Sequence, residues 1–146
     1  MTGDDFVSLA RRLFVTHQAD AAAIRTVASR AYYGVFHSAK AFLEEIGFPV
    51  PKTENAHLFI QVRLTHANQA DASEAGALLG ALHESRKRAD YDLSSARYQT
   101  PDFAAEAIVR ADRVLEKLKS CRQEPAVGEI VRGITAYQTS ISSRSR

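Results

Sequence analysis

One cysteine, Cys121, stands in a chain of 146 residues, so no intramolecular disulfide can form. No Cys/His group has metal-ligand spacing either, which removes a stapled secreted scaffold and a zinc site from consideration. A reducing, cytoplasmic setting is the expectation. No stretch approaches membrane-spanning length, and Met1 to Phe14 holds two acids followed by Arg11 and Arg12 in place of a signal-type apolar run. No membrane association is therefore expected. The net charge of +2 is too small for a long electrostatic footprint on duplex nucleic acid, so any such contact must be local. A glycine-rich phosphate loop, a nucleophile elbow, paired histidines at helical spacing and a Ser-His-Asp set are all missing. Most cofactor enzymes drop out, and neither cofactor nor metal is expected.

What is present reads as helix. Hydrophobic residues make up 45% of the chain and charged residues 25%, a balance that rules out wholesale disorder and suits one domain with one core. Phe6, Leu9, Ala10 and Leu13 give a first amphipathic helix. Asp20 can cap a long second helix that ends at Gly47, a residue suited to a left-handed terminus. Its core face carries Ile24, Val27, Ala28, Ala31, Val35, Ala39, Phe42 and Ile46, while Arg30, Tyr33, His37 and Glu44 form a polar face. Pro49 and Pro51 mark a linker, and Thr53 offers a cap to a third helix through Leu58, Ile60, Val62 and Leu64. Asp71 with Glu74 resembles a capping box for a fourth helix with the stripe Ala75, Leu78, Leu82, Ala89 and Leu93, and Gly76 and Gly80 suggest close packing. Thr100-Pro101-Asp102 opens a fifth helix that runs to about Cys121. The expectation is an all-α, up-and-down bundle of four to five main helices over residues 1–122. An extension, 123–146, is expected to hold a short helix around Ile130 to Tyr137 and a disordered Ser/Arg-rich end.

Chemistry concentrates in two places. His83, Arg86, Lys87, Asp90 and Ser94 share one side of the fourth helix near its end, where cationic donors and an imidazole could converge on a phosphate. The plainer alternative is that Arg86 and Asp90 form an i,i+4 pair on a solvated face. Tyr91 lies nearly opposite the apolar stripe, so it is exposed or covered by a second surface, which a homodimer would supply. The other place is the second helix, where Tyr33 sits between Arg30 and His37. Tyr32 and Phe36 there read as core aromatics, and His37 as a surface or interface histidine. Cys121, flanked by Lys117, Lys119 and Arg122, reads as an inert half-buried thiol.

Ser29-Arg30-Ala31-Tyr32-Tyr33 with Phe36, followed by Arg86-Lys87-Arg88-Ala89-Asp90-Tyr91, resembles the HEPN superfamily, in particular a small stand-alone branch with S-R-x-Y-Y and R-x-x-A-D-Y motifs. The resemblance spans about Asp20 to Leu118. It implies a helical domain that dimerises through the surface bearing these motifs and needs no cofactor. It further implies an association with RNA cleavage, often as the toxin of a pair whose antitoxin is a nucleotidyltransferase. The resemblance makes Arg86, Asp90 and Tyr91 the candidate catalytic group, and the two helix faces make Arg30, Tyr33, His37, His83 and Lys87 the candidate phosphate- or nucleotide-binding group. The ribonuclease branches place His four to six residues after the Arg, whereas Arg86 is followed by Asp90 and Tyr91. An imidazole exchanges protons near neutral pH and a carboxylate is already ionised there. Two functions stay open: a metal-independent ribonuclease in which His83 or His37 moves the proton, and a non-catalytic module that binds a nucleotide or a protein. A plain helical adaptor using the C-terminal segment is a third.

Overall fold

The computed structural model describes residues 1–145, and among them every regular element is helical. The elements are α1 (Gly3–Thr16), α2 (Ala21–Glu45), α3 (Ala56–Thr65), α4 (Ala70–Tyr91), a 3₁₀ turn (Ala96–Gln99), α5 (Pro101–Cys121) and α6 (Ala126–Arg144). The all-α expectation holds. The chain divides into two compact units: Met1–Ser38 with Leu78–Leu115, and Ala39–Ala77 with the residues from Glu116 onward. Helices α2, α4 and α5 each give residues to both.

In the first unit the core is built from Val7 and Ala10 of α1, Ile24, Val27, Ala28, Ala31, Tyr32 and Val35 of α2, Leu82 and Ala89 of α4, and Ala104, Ala107, Ala111 and Val114 of α5. The α2 face expected from its apolar spacing is thus buried, because residues three and four apart point to one side; Ile46, expected at its end, lies past α2 and is half-buried. Helix α2 starts where expected: the backbone N–H groups of Ala22 and Ala23 donate to Asp20 Oδ1 at 2.9 and 3.2 Å. Helix α5 likewise starts as expected, with Phe103 N donating to Thr100 Oγ1 at 3.2 Å. The buried line of α1 is Gly3, Val7 and Ala10, whereas Phe6, Leu9 and Leu13 are half-buried. The reason is backbone proximity. A Cβ on Gly34 of α2 would stand 2.5 Å from Val7 Cγ2 and 2.8 Å from the Gly3 carbonyl, so α1 approaches α2 on its glycine side.

In the second unit Phe42 and Leu43, then Ala56, Ile60 and Leu64 of α3, Ala72 and Ala75 of α4, Leu118 and Cys121 of α5, and Ile130 and Ile134 of α6 are buried. Gly47 sits at φ +96 and closes α2. Four expectations need correction. Leu58 is 62% exposed, since the α3 core repeats every fourth residue through Ala56, Ile60 and Leu64. Asp71 and Glu74 do not box the start of α4; both carboxylates pair with Lys117 Nζ, at 3.0 and 3.1 Å, and Gln69 Oε1 accepts from Ala72 N as the cap. Leu93, in the first unit, lies beyond the end of α4 and is 69% exposed. The helix expected near Ile130 to Tyr137 runs from Ala126 to Arg144, so the segment expected to be disordered is helical as far as Arg144; Arg146 lies outside the described residues. Helix α6 is longer because Ile130 and Ile134 are fully buried and His66, just past the end of α3, stacks on Tyr137 at 4.5 Å. Packing, not local propensity, carries it.

Gly34→Ala inverts the usual helix rule. Alanine normally gains about 1 kcal/mol over glycine inside a helix. Here its methyl has no room against α1, and overpacking of this kind costs about 1–3 kcal/mol. Urea unfolding is expected to show a net loss of stability, and a gain would mean that α1 moves aside freely.

Candidate functional site

The polar face of α2 and the last two turns of α4 meet in the first unit, at Tyr33. Arg86 Nη2 donates a hydrogen bond of 2.8 Å to Tyr33 Oη across 53 residues of sequence. Its guanidinium carbon stands 5.2 Å from the Tyr33 ring centroid, and that of Arg30 stands 5.3 Å from the same centroid. One ring therefore takes two cations, whose attraction to the π-face offsets part of their mutual repulsion. Arg30 also lies 5.7 Å from the ring of Phe6, and His37 stacks on Phe6 with 5.3 Å between centroids. The first helix thus supplies an aromatic floor that was read from sequence only as part of an apolar stripe.

The Arg86–Asp90 pair exists, but not on a solvated face. Nε lies 3.0 Å from Asp90 Oδ2, and the two side chains are only 18% and 30% exposed. The Nε–H is buried and points away from hydrogen-bond geometry, so the contact is an ion pair without a hydrogen bond. At this degree of burial the attraction is less screened than in an open i,i+4 pair, and its main effect is to fix the guanidinium plane. Nη1 makes no hydrogen bond within the described residues. With Nη2 held by Tyr33 and Nε beside Asp90, the outer edge of the guanidinium is left to face an anion.

The remaining candidates divide. His83 stacks on the fully buried Tyr32 at 5.0 Å, one turn before Arg86. Burial, then the neighbouring Tyr33, push the Tyr32 phenol well above its ordinary pKa, against an opposing pull from Arg86. Tyr32 accordingly stays neutral and acts as a wall. Tyr91 is 75% exposed, with the Arg86 guanidinium 5.8 Å from its ring. Lys87 pairs with Glu84 and lines, with Arg88, Tyr91 and Asp92, a shallow groove of about 460 Å³. Ser94 does not share the helix face expected of it: α4 has ended, and its hydroxyl donates to Asp92 Oδ1 at 3.0 Å. Among the described residues no cluster of His, Cys, Asp or Glu could hold a metal ion, and no helix is long and apolar enough to cross a membrane. Cys121, in the second unit, has its thiol pushed up to about 11 by burial and by Asp71, which outweigh Arg122 and Lys117; it is a packing residue.

Arg25 is the residue that sequence reasoning missed. It is 8% exposed, and its guanidinium ends α4: Nη1 donates to Ala89 O at 2.7 Å and Asp92 O at 2.9 Å, and Nη2 to Ser95 O at 3.0 Å. The last carbonyls of a helix lack intrahelical donors and carry the negative end of its dipole, so a buried cation there is doubly matched. It sets the position at which α4 stops, and hence where Arg86, Asp90 and Tyr91 stand. The available signal was a lone arginine at i+1 from Ile24 on the edge of an apolar face, which by itself also fits a solvated side chain.

The family model for the HEPN domain matches residues 3–121. No curated protein matches the chain, and no solved structure does. The matched span holds Arg25, the Tyr33 cluster and the whole of α4, and it stops before α6.

Arg25→Ala strips three carbonyls of a charged donor, and such bonds are worth about 1.5–3 kcal/mol each before water repairs part of the loss. A drop of about 3 kcal/mol in urea unfolding is expected, with faster amide exchange through Ala89–Ser95. A loss below about 1 kcal/mol would show that water caps α4 equally well.

Proposed function

Because the chain belongs to the HEPN family, we propose that it is an RNA-targeting module in which Arg86 meets a phosphate. The observation that carries the reading is the half-buried guanidinium tethered to Tyr33 Oη, braced by Asp90 and with Nη1 unspent. A pre-oriented guanidinium loses little entropy on meeting a phosphate, and its planar donors match phosphate oxygens better than an ammonium does. Arg30 beside the same ring adds a second positive charge, and the exposed Tyr91 offers a face on which a base can stack.

As a ribonuclease toxin the site would cleave RNA without metal. The ribose 2′-hydroxyl attacks the adjacent phosphorus, a base removes its proton, and an acid protonates the departing 5′-oxygen as the P–O bond breaks. Arg86 would stabilise the charge that builds on the non-bridging oxygens. His83 and His37, each stacked on an aromatic ring within this cluster, are the imidazoles for the proton transfers. The second reading, a non-catalytic module that binds a nucleotide or protein, draws on Asp90. A carboxylate 3.0 Å from the guanidinium occupies the stretch where the ribonuclease branches carry His, and it offsets part of the attraction for phosphate. In this second reading the exposed Tyr91 is instead a surface for a second copy of the chain, whereas in the toxin reading a nucleotidyltransferase antitoxin is the partner named.

A labelled single-stranded RNA titrated with wild type and Arg86→Ala in the presence of a chelator tests both readings. Arg86→Ala is expected to weaken binding about tenfold or more, the equivalent of one charge-assisted contact. RNA cleavage that vanishes with Arg86→Ala makes the module a ribonuclease; binding without cleavage makes it non-catalytic. Equal binding and intact RNA with both proteins would defeat the proposal.

A further inference from the structure

A second concave surface lies next to the Tyr91 groove and shares two of its residues, Glu84 and Arg88. Its volume is about 410 Å³, within the range of about 300–1,000 Å³ usual for small-ligand sites. Three guanidinium groups line it from three different elements: Arg88 from α4, Arg97 from the 3₁₀ turn and Arg110 from α5. Tyr98 and Phe103 also line it and meet edge to face, with 5.2 Å between ring centroids. The cluster around Arg86 and Tyr33 uses none of Arg97, Tyr98, Phe103 and Arg110.

The charges on this wall are unevenly spent. Glu84 pairs with Lys87, and Glu106 reaches Arg110 only loosely, at 3.9 Å with both side chains largely exposed. Asp102 stands in the first turn of α5, where an acid complements the helix dipole. Arg88 and Arg97 make no ion pair with any described residue. A surface that holds arginines outside ion-pair distance of its acids beside an aromatic pair, in a concavity, has the two components that bind a single nucleic-acid strand: cations that track the backbone and a ring on which a base stacks. An acidic peptide would use the arginines but gain nothing from the rings.

We propose that this groove is a second RNA subsite, in which Arg88 and Arg97 contact backbone phosphate, Arg110 contacts the next one and Tyr98 stacks on a base. The strand would continue from Arg86 past Tyr91 and over Arg88, the arginine common to the two grooves. This rests on the RNA-targeting reading above and adds where the strand runs. The contact is local, as a chain of small net charge requires: three arginines share the wall with Glu84, Asp102 and Glu106, and of the three only Arg110 pairs with one of these acids.

The test is fluorescence anisotropy with a 5′-labelled mixed-sequence 12-nucleotide RNA at several KCl concentrations. The proteins are wild type, Arg97→Ala/Arg110→Ala, Arg97→Glu, Tyr98→Leu and Arg86→Ala, each checked for native helix content by circular dichroism. The double arginine variant is expected to bind about tenfold more weakly, and to lose roughly one to two units from the slope of log Kd against log salt, since each single-strand phosphate contact contributes about 0.7. Tyr98→Leu is expected to lose about five- to a hundredfold through the missing stack. Arg97→Glu should fall below the alanine double. Groove variants that bind as wild type with an unchanged salt slope, while Arg86→Ala weakens, would overturn the subsite and leave the RNA reading standing. No RNA binding by wild type would remove both. Polyglutamate of equal charge competing as well as unlabelled RNA would also overturn the assignment, because it would show a purely anionic site.

Discussion

The hydrogen bond from Arg86 to Tyr33 joins two segments that lie 53 positions apart, and the geometry of the site follows from it. An arginine near a helix end has many rotamers, and left to itself it would pair with Asp90 in solvent, where such pairs contribute little. The phenol oxygen selects one rotamer and turns the guanidinium against the Tyr33 ring. Asp90 then meets it from the same helix on a half-buried surface, and the buried Nε–H beside that carboxylate is left without a hydrogen-bond partner. Fixing a cation in this way stores part of the cost of binding an anion in the fold itself.

That arrangement is possible only if α4 ends where it does. Arg25 is the device: a buried charge is tolerated because three carbonyls receive its donors, and those carbonyls come from Ala89, Asp92 and Ser95, on both sides of the helix end. One more turn of helix would remove the Asp92 and Ser95 carbonyls from reach. Because the chain turns there, Tyr91 faces outward, Leu93 leaves the core, and the segment through Arg97 and Tyr98 comes down beside α4 and α5. In the same unit, the Gly3–Gly34 approach brings α1 close enough for Phe6 to lie against Arg30 and His37. A glycine contact and an arginine cap, neither of them part of the cluster, thus set its walls.

What could be read from the sequence was whatever depends on neighbours in the chain. Asp20, Gly47 and the Thr100-Pro101-Asp102 start were legible since caps and left-handed termini are local chemistry, and the buried face of α2 was legible since its period is helical. The same local logic failed at Asp71 and Glu74, which have the spacing of a box but are taken by Lys117 from α5, a partner no spacing rule contains. Helix α6 was underestimated for a related reason: its polar C-terminal half is a weak helix former, and its stability comes from the packing of Ile130, Ile134 and Tyr137 within the second unit. Of the site, the two motifs announced Arg30, Tyr33, Arg86, Asp90 and Tyr91; Arg30 and Arg86 meet over the Tyr33 ring, and Asp90 and Tyr91 flank Arg86. Arg25, Phe6 and the arginine groove were not legible, because each acquires its role only from a residue distant in sequence.

The central claim is that Tyr33 acts through Arg86 rather than beside it, and a double-mutant cycle on RNA affinity addresses that directly. Tyr33→Phe removes one oxygen and keeps the ring, so in wild type it should weaken binding by loosening the guanidinium, while in the Arg86→Ala background it should change nothing further. The coupling expected between the two positions is about 1 kcal/mol or more. Equal losses from Tyr33→Phe in both backgrounds would contradict the account, since the phenol would then contact RNA independently of the arginine it is held to position.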